Sequence, residues 1–238
     1  MKKALCLLVL LITFSAAFAQ LEYESYTVAA TNGLTLRDAP DKNGAKVAII
    51  PKGGRVSIAE NVDSSLSFSV TEFPGFTIQG YWVKVRYMDY TGYVFSGYLS
   101  RFLPLLRYIT PEGEQYNENE YEYFMRYFTE RGHKPLNYFD QDSIYQDFET
   151  QFNEGIRYHY HSSEALYISI EFTQHSFQEV YLFYLLMTEP HARAEYNKET
   201  KEIYAFQGIS DDPEEGVGCD YTITKKGKTI ILSLFCHC

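Results

Sequence analysis

The hydrophobic pattern of this chain passes through three regimes. From Ala4 to Phe14 every position but Thr13 is apolar. Between Tyr26 and Phe95 the apolar residues come in short β-branched and aromatic runs separated by turn residues. After Leu105, helical spacing and strand-like alternation follow one another. The first run is preceded by Lys2 and Lys3 and leads into small residues ending in Ala17-Phe18-Ala19. A charged start, a short apolar run and an A-x-A site predict a secretory signal peptide over residues 1–19. The run is shorter than the ~20 apolar residues that span a bilayer. Cys6 sits inside it, too early for the lipidated cysteine of a cleavage site. The expectation is an exported protein, periplasmic or secreted, with no stable membrane insertion once the signal is removed.

In the second regime, Tyr26–Ala30, Leu34–Arg37, Val47–Ile50, Arg55–Ala59, Tyr81–Tyr87 and Gly92–Phe95 read as strands. Asn32-Gly33, Asp41–Gly44, Lys52–Gly54 and Asp89–Gly92 read as the turns between them. Short strands at this spacing, with no helix, predict a small barrel or sandwich.

The residues themselves carry a resemblance. Gly33-Leu34-Thr35-Leu36-Arg37-Asp38-Ala39-Pro40 is similar to the opening signature of bacterial SH3 (SH3b) domains. Val47-Ala48-Ile49-Ile50, a following glycine and Val56-Ser57-Ile58 resemble its next two strands. Trp82-Val83-Lys84-Val85 and Gly92-Tyr93-Val94-Phe95-Ser96-Gly97-Tyr98-Leu99-Ser100 resemble its close. The resemblance implies an all-β SH3-like small barrel over residues 20–104. It also implies a module that holds peptidoglycan or another envelope polymer or peptide. Residues 61–80 depart from the pattern as a long insertion, in which Leu66–Val70 and Phe76–Gln79 flank Pro74-Gly75 as an extra hairpin. Arg37, with five donors on one guanidinium, is expected to satisfy carbonyls of the loop after its strand. Trp82 should lie on the opposite sheet face from Val85. Left open, it would join Tyr81, Tyr93 and Tyr98 in an aromatic shelf for a ligand; covered by the insertion or by the second half, it would not.

The third regime, residues 105–238, predicts an α+β domain with an antiparallel sheet. Glu114 to Arg131 reads as a helix ended by Gly132 and Pro135, with Tyr121, Phe124, Met125 and Phe128 as one buried stripe. Ile156–His161 and Ala165–Phe172 read as a hairpin, and residues 136–152 are left unassigned. Ser176-Phe177-Gln178-Glu179 has the form of a capping box. The helix that follows is apolar nearly all round from Val180 to Met187 and should be buried. Glu202–Gln207 reads as a strand, and Gly218–Thr224 with Thr229–Cys236 as a final hairpin turning at Lys226-Gly227. In that register Cys219 faces Leu234, with Cys236 its diagonal neighbour. An oxidising compartment then favours a Cys219–Cys236 disulfide, with Cys238 as the alternative partner.

Charge divides the chain unevenly. Eight basic and eight acidic residues cancel between Leu21 and Pro104, whereas 11 basic and 23 acidic residues follow from Leu105 onward. The asymmetry supports two domains, and the absence of a basic footprint excludes nucleic acid as a partner.

No complete catalytic set emerges. Cys219 has His237 nearby, but it begins a strand rather than a helix, where a nucleophilic thiolate is stabilised. Nothing resembles the Asp-Cys-Ser-Gly and Gly-His pattern of the NlpC/P60 enzymes that often accompany SH3b modules. No carboxylate pair stands out for glycoside hydrolysis. His159 and His161 share one strand face, which is ligand geometry, and Cys236-His237-Cys238 adds donors. Zinc wants three or four convergent ligands, however, and an alternating Tyr-His strand is more often an exposed face. The expectation is no metal, no cofactor and no catalysis: an envelope binding protein. The alternatives are a cell-wall hydrolase with an unrecognised catalytic domain, or a secreted inhibitor or immunity-type protein whose acidic face blocks a basic partner.

Overall fold

The structure is a computed structural model that describes residues 25–60, 64–109, 113, 115–133, 147–162, 165–188, 193–208 and 218–237. The expected signal peptide and Cys238 lie outside the described residues.

Among the described residues, eight strands build the first half: β1 Ser25–Val28, β2 Leu34–Arg37, β3 Lys46–Ile50, β4 Arg55–Ile58, β5 Ser67–Phe73, β6 Phe76–Tyr87, β7 Tyr90–Phe95 and β8 Leu99–Ser100. They form one antiparallel sheet in the order β3-β2-β7-β6-β4-β1-β8, with β5 added to β6. Alternation explains the burial: Leu34 and Leu36 of β2 point inward together, as do Val83 and Val85 of β6. Arg37 takes the expected role, its Nη1 donating to the Gly44 carbonyl at 2.7 Å to fasten the β2–β3 loop. The hairpin expected in the insertion is present, but it is not an appendage. β6 is one 12-residue strand whose first half pairs with β5 and whose second half pairs with β4 and β7.

In the second half, β9 Arg107–Ile109 pairs with β10 Gln115–Asn117, and α1 spans Glu120–Glu130. The helix therefore starts six residues later than the sequence predicts. Residues 115–117 give their backbone groups to β9, and Asn119 supplies the cap. Its side chain accepts from Glu122 N at 2.9 Å, while the Glu122 carboxylate accepts from Asn119 N at 3.3 Å. Then follow β11 Asp147–Gln151, β12 Ile156–Ser162, β13 Ala165–Phe172, α2 Phe177–Met187, β14 Arg193–Asn197, β15 Glu202–Gly208, β16 Gly218–Lys226 and β17 Thr229–His237. These strands make a seven-stranded antiparallel sheet in the order β11-β12-β13-β17-β16-β15-β14. The fold is thus mostly β, with two large antiparallel sheets and few helices. β11 falls in the stretch left unassigned from sequence, and β14 was not anticipated at all.

The final hairpin turns one step later than expected, at Gly227-Lys228, with Lys226 opposite Thr229. This places Cys219 directly opposite Cys236, not Leu234, with Cα atoms 4.1 Å apart and sulfurs 2.05 Å apart, at bonding distance. Opposed positions move by two residues, an even number, so both cysteines keep the face assigned to them.

One continuous core runs through both halves, from Val28 to Leu234. The capping box at Ser176 is formed, and Val180 to Leu186 are all buried. The reason for that all-round burial is that α2 packs on both sheets. Tyr184 meets Tyr221 of β16, and Phe183 meets Phe124 of α1. On the other side, Phe177 and Tyr181 pack on Phe76 of β6, and Phe183 lies 4.8 Å from the Phe102 ring.

Candidate functional site

A cleft of about 830 Å³ opens near this junction. One wall comes from the first sheet and the segment after it: Tyr26, Ile58, Tyr81, Val83, Ser96 and Phe102. The other comes from Tyr127 of α1, Glu154 in the β11–β12 turn, Gln174 and His175 ahead of α2, and Glu179 in its first turn.

Local chain geometry sets these side chains in place. Gly80 and Gly97 approach so closely that a Cβ on Gly80 would lie 2.4 Å from the Gly97 amide nitrogen. The space lets Gln178 join the sheet edge as a surrogate strand: it accepts from Gln79 N at 2.9 Å and donates to Gln79 O at 2.8 Å. Tyr81 N donates to Ser96 Oγ at 2.8 Å, which fixes the backbone beneath the Tyr81 ring. Across the cleft, a Cβ on Gly155 would sit 2.1 Å from Thr173 Oγ1. Only glycine allows the β11–β12 turn to reach the segment carrying His175. Glu154, at the turn tip, adopts a φ of +58°, unusual for a residue with a Cβ.

His175 is the most constrained polar group in the wall. Its ring stacks on Phe102 at 5.4 Å and meets Phe172 edge-on at 5.5 Å. Nε2 lies 3.8 Å from Glu154, whose carboxylate also accepts from Tyr127 OH at 3.2 Å. Nδ1 is buried and has no hydrogen-bond partner among the described residues. Burial pushes the His175 pKa below its ordinary value; Glu179 and Glu154 pull it back, and Arg101 adds to the lowering. The Tyr127 hydroxyl is held above its ordinary pKa, chiefly by burial. The Arg131 guanidinium covers the Tyr127 ring at 3.7 Å and donates to Arg101 O, bracing this wall.

The aromatic shelf expected from sequence does not form. Trp82 does lie opposite Val85, but it is only 8% exposed. Phe68 of β5 covers it at 5.7 Å and also packs edge-on against Phe95, its other neighbour on that face. Tyr98 turns its hydroxyl to Glu72, which also accepts from Tyr181 OH at 2.7 Å. Tyr93 lies half-buried beneath the Lys84 ammonium. Of the four, only Tyr81, 39% exposed, lines the cleft.

The sequence reading missed Glu154, His175 and Gln178. A His directly before a capping box and a Glu-Gly ahead of a strand carry no local signal of a site. His159 and His161 share the outer face of the second sheet, away from the cleft. Among the described residues no group of three or more His, Cys, Asp or Glu side chains converges as a metal-binding set.

Residues 32–100 match the family model for the bacterial SH3 domain. The chain carries an SH3b domain. The matched stretch is under a third of the 238 residues, and it contributes Tyr81, Val83 and Ser96 to the cleft. Searches of curated proteins and of solved structures gave no match. Among the described residues no helix is long and apolar enough to cross a membrane.

Proposed function

We propose that this is an exported, non-catalytic binding protein of the cell envelope, periplasmic or secreted. Its SH3b domain, read as an SH3-like small barrel, recognises peptidoglycan or another envelope polymer or peptide together with the acidic α+β domain that follows. The observation that carries this reading is the cleft at the junction. It joins an exposed Tyr81 ring, amide side chains and the His175 imidazole in one concave surface. Binding sites of this kind combine apolar walls with a few fixed polar groups. An aromatic face suits a sugar ring or a peptide side chain, while Gln174 and His175 supply hydrogen-bonding groups for hydroxyls and amides.

The test is retention of the mature protein on purified peptidoglycan sacculi. Tyr81→Ala is expected to reduce retention at least tenfold while leaving the fold intact, because the ring is largely outside the core. No retention of the wild type on sacculi would remove the cell-wall version of the proposal. Trp82→Ala is a poor probe, since it cuts into packed aromatics.

Glu154, Tyr127 and His175 in one cleft favour a second reading, a hydrolase in which Glu154 acts as the acid–base group. Zymography on cell walls separates the two. The binding reading expects no clearing, whereas clearing by the wild type that disappears in Glu154→Gln establishes the enzyme.

A further inference from the structure

The outer face of the second sheet carries a cluster that the cleft does not use. β12 presents His159 and His161 on one side of the strand, about 6.7 Å apart along it. β11, pairing in register, sets Glu149 opposite His159 and Asp147 opposite His161. Each imidazole turns Nδ1 toward the carboxylate across the ladder. His159 Nδ1 lies 3.4 Å from Glu149 Oε2, and His161 Nδ1 lies 3.8 Å from Asp147 Oδ2. Arg157 Nε lies 3.2 Å from the other Glu149 oxygen, and its Nη1 lies 3.7 Å from Glu171, so its charge is spent on carboxylates. A carboxylate facing Nδ1 orients the ring and leaves Nε2 as the donor, which is the arrangement found behind metal-bound histidines. The two side chains are 34% and 51% exposed.

We propose that His159 and His161 chelate one divalent transition-metal ion through their Nε2 atoms, with Glu149 and Asp147 as the carboxylates behind the rings. Imidazole donors suit nickel, copper and zinc, whereas magnesium and calcium require oxygen. Two protein nitrogens make an open site, its remaining positions filled by water or by a donor from a bound ligand. This agrees with the lack of a third convergent donor among the described residues, and it distinguishes the site from a closed structural zinc centre. The proposal is independent of the cleft and stands whichever reading of the cleft holds.

Isothermal titration of tag-free mature protein with nickel chloride tests it. One equivalent is expected to bind. His159→Ala and His161→Ala should each weaken binding at least tenfold, and the double variant should abolish it. Glu149→Gln, which keeps both imidazoles, should weaken it about tenfold. His133→Ala, at the exposed end of α1, should leave it unchanged. Circular dichroism checks that these surface substitutions keep the fold. A wild type that binds no nickel, or a single-imidazole variant within twofold of wild type, overturns the site. Loss in the histidine variants with none in Glu149→Gln overturns the carboxylates' part in it.

Discussion

At the scale of single residues, polar groups at the junction of the two halves are held by few partners and are sensitive to loss of any one. Glu72 accepts hydrogen bonds from both Tyr98 and Tyr181, so it ties the segment after β7 to α2 through the insertion. Glu72→Ala leaves two largely buried hydroxyls without an acceptor and should destabilise the protein by about 3 kcal/mol, read from urea denaturation. Glu72→Gln, which keeps one good acceptor, should cost less. His175 makes the junction responsive to acid. Its folded-state pKa lies below the ordinary 6.5 because burial disfavours the imidazolium. Its contribution to stability is therefore fully present above 6.5. It is lost as the pH falls from that value through the lower folded-state pKa, a window in which the unfolded chain takes up a proton that the folded ring resists. Unfolding midpoints measured across this range should drop toward acid, and His175→Gln should flatten the dependence.

At the scale of elements, β5 decides what the first sheet shows to solvent. Without it, the Trp82 face of β6 would be open and the aromatic shelf would be available. With it, Phe68 closes over the indole. Phe68→Ala should cost about 3 kcal/mol, in the range of large-to-small changes at packed aromatics. Because the chain has one tryptophan, the same variant should shift native fluorescence to the red. A spectrum identical to wild type would show that the indole is not sheltered by β5. The hairpin that β5 makes with β6 turns α2 from a helix lying on one sheet into one held between two, through Phe73 of β5 and Phe76 of β6 against Tyr181.

At the scale of the whole molecule, the shared core predicts that the halves unfold together. Fluorescence from Trp82 reports the first half and far-UV circular dichroism reports both, and the two transitions should coincide. Separate transitions would show independently stable domains. Tyrosines buried in the core give the protein an alkaline limit. Tyr98, Tyr123, Tyr127, Tyr158, Tyr181, Tyr184 and Tyr221 all have raised pKa values with burial as the largest cause, Tyr184 to about 12. The neutral hydroxyl is favoured in the folded state, so stability is intact below the ordinary value of 10.0. Above it the unfolded chain ionises first, at a loss approaching 1.4 kcal/mol per pH unit for each deeply buried hydroxyl, on the order expected from linkage. Urea midpoints should therefore fall steeply once the pH passes 10, with the slope reporting how many tyrosines are sealed.

Local pattern alone determined the strands and turns of the SH3b stretch, the Arg37 loop clamp, the capping box at Ser176 and the common face of the two cysteines. Each depends on residues close in the chain, or on a parity that a two-residue slip preserves. Tertiary structure alone decided whether Trp82 is open, which turn meets which helix around the cleft, and that β11 stands behind the two histidines. Those outcomes depend on segments far apart in sequence arriving side by side, and side-chain periodicity reports only which face a residue occupies, not what comes to cover it.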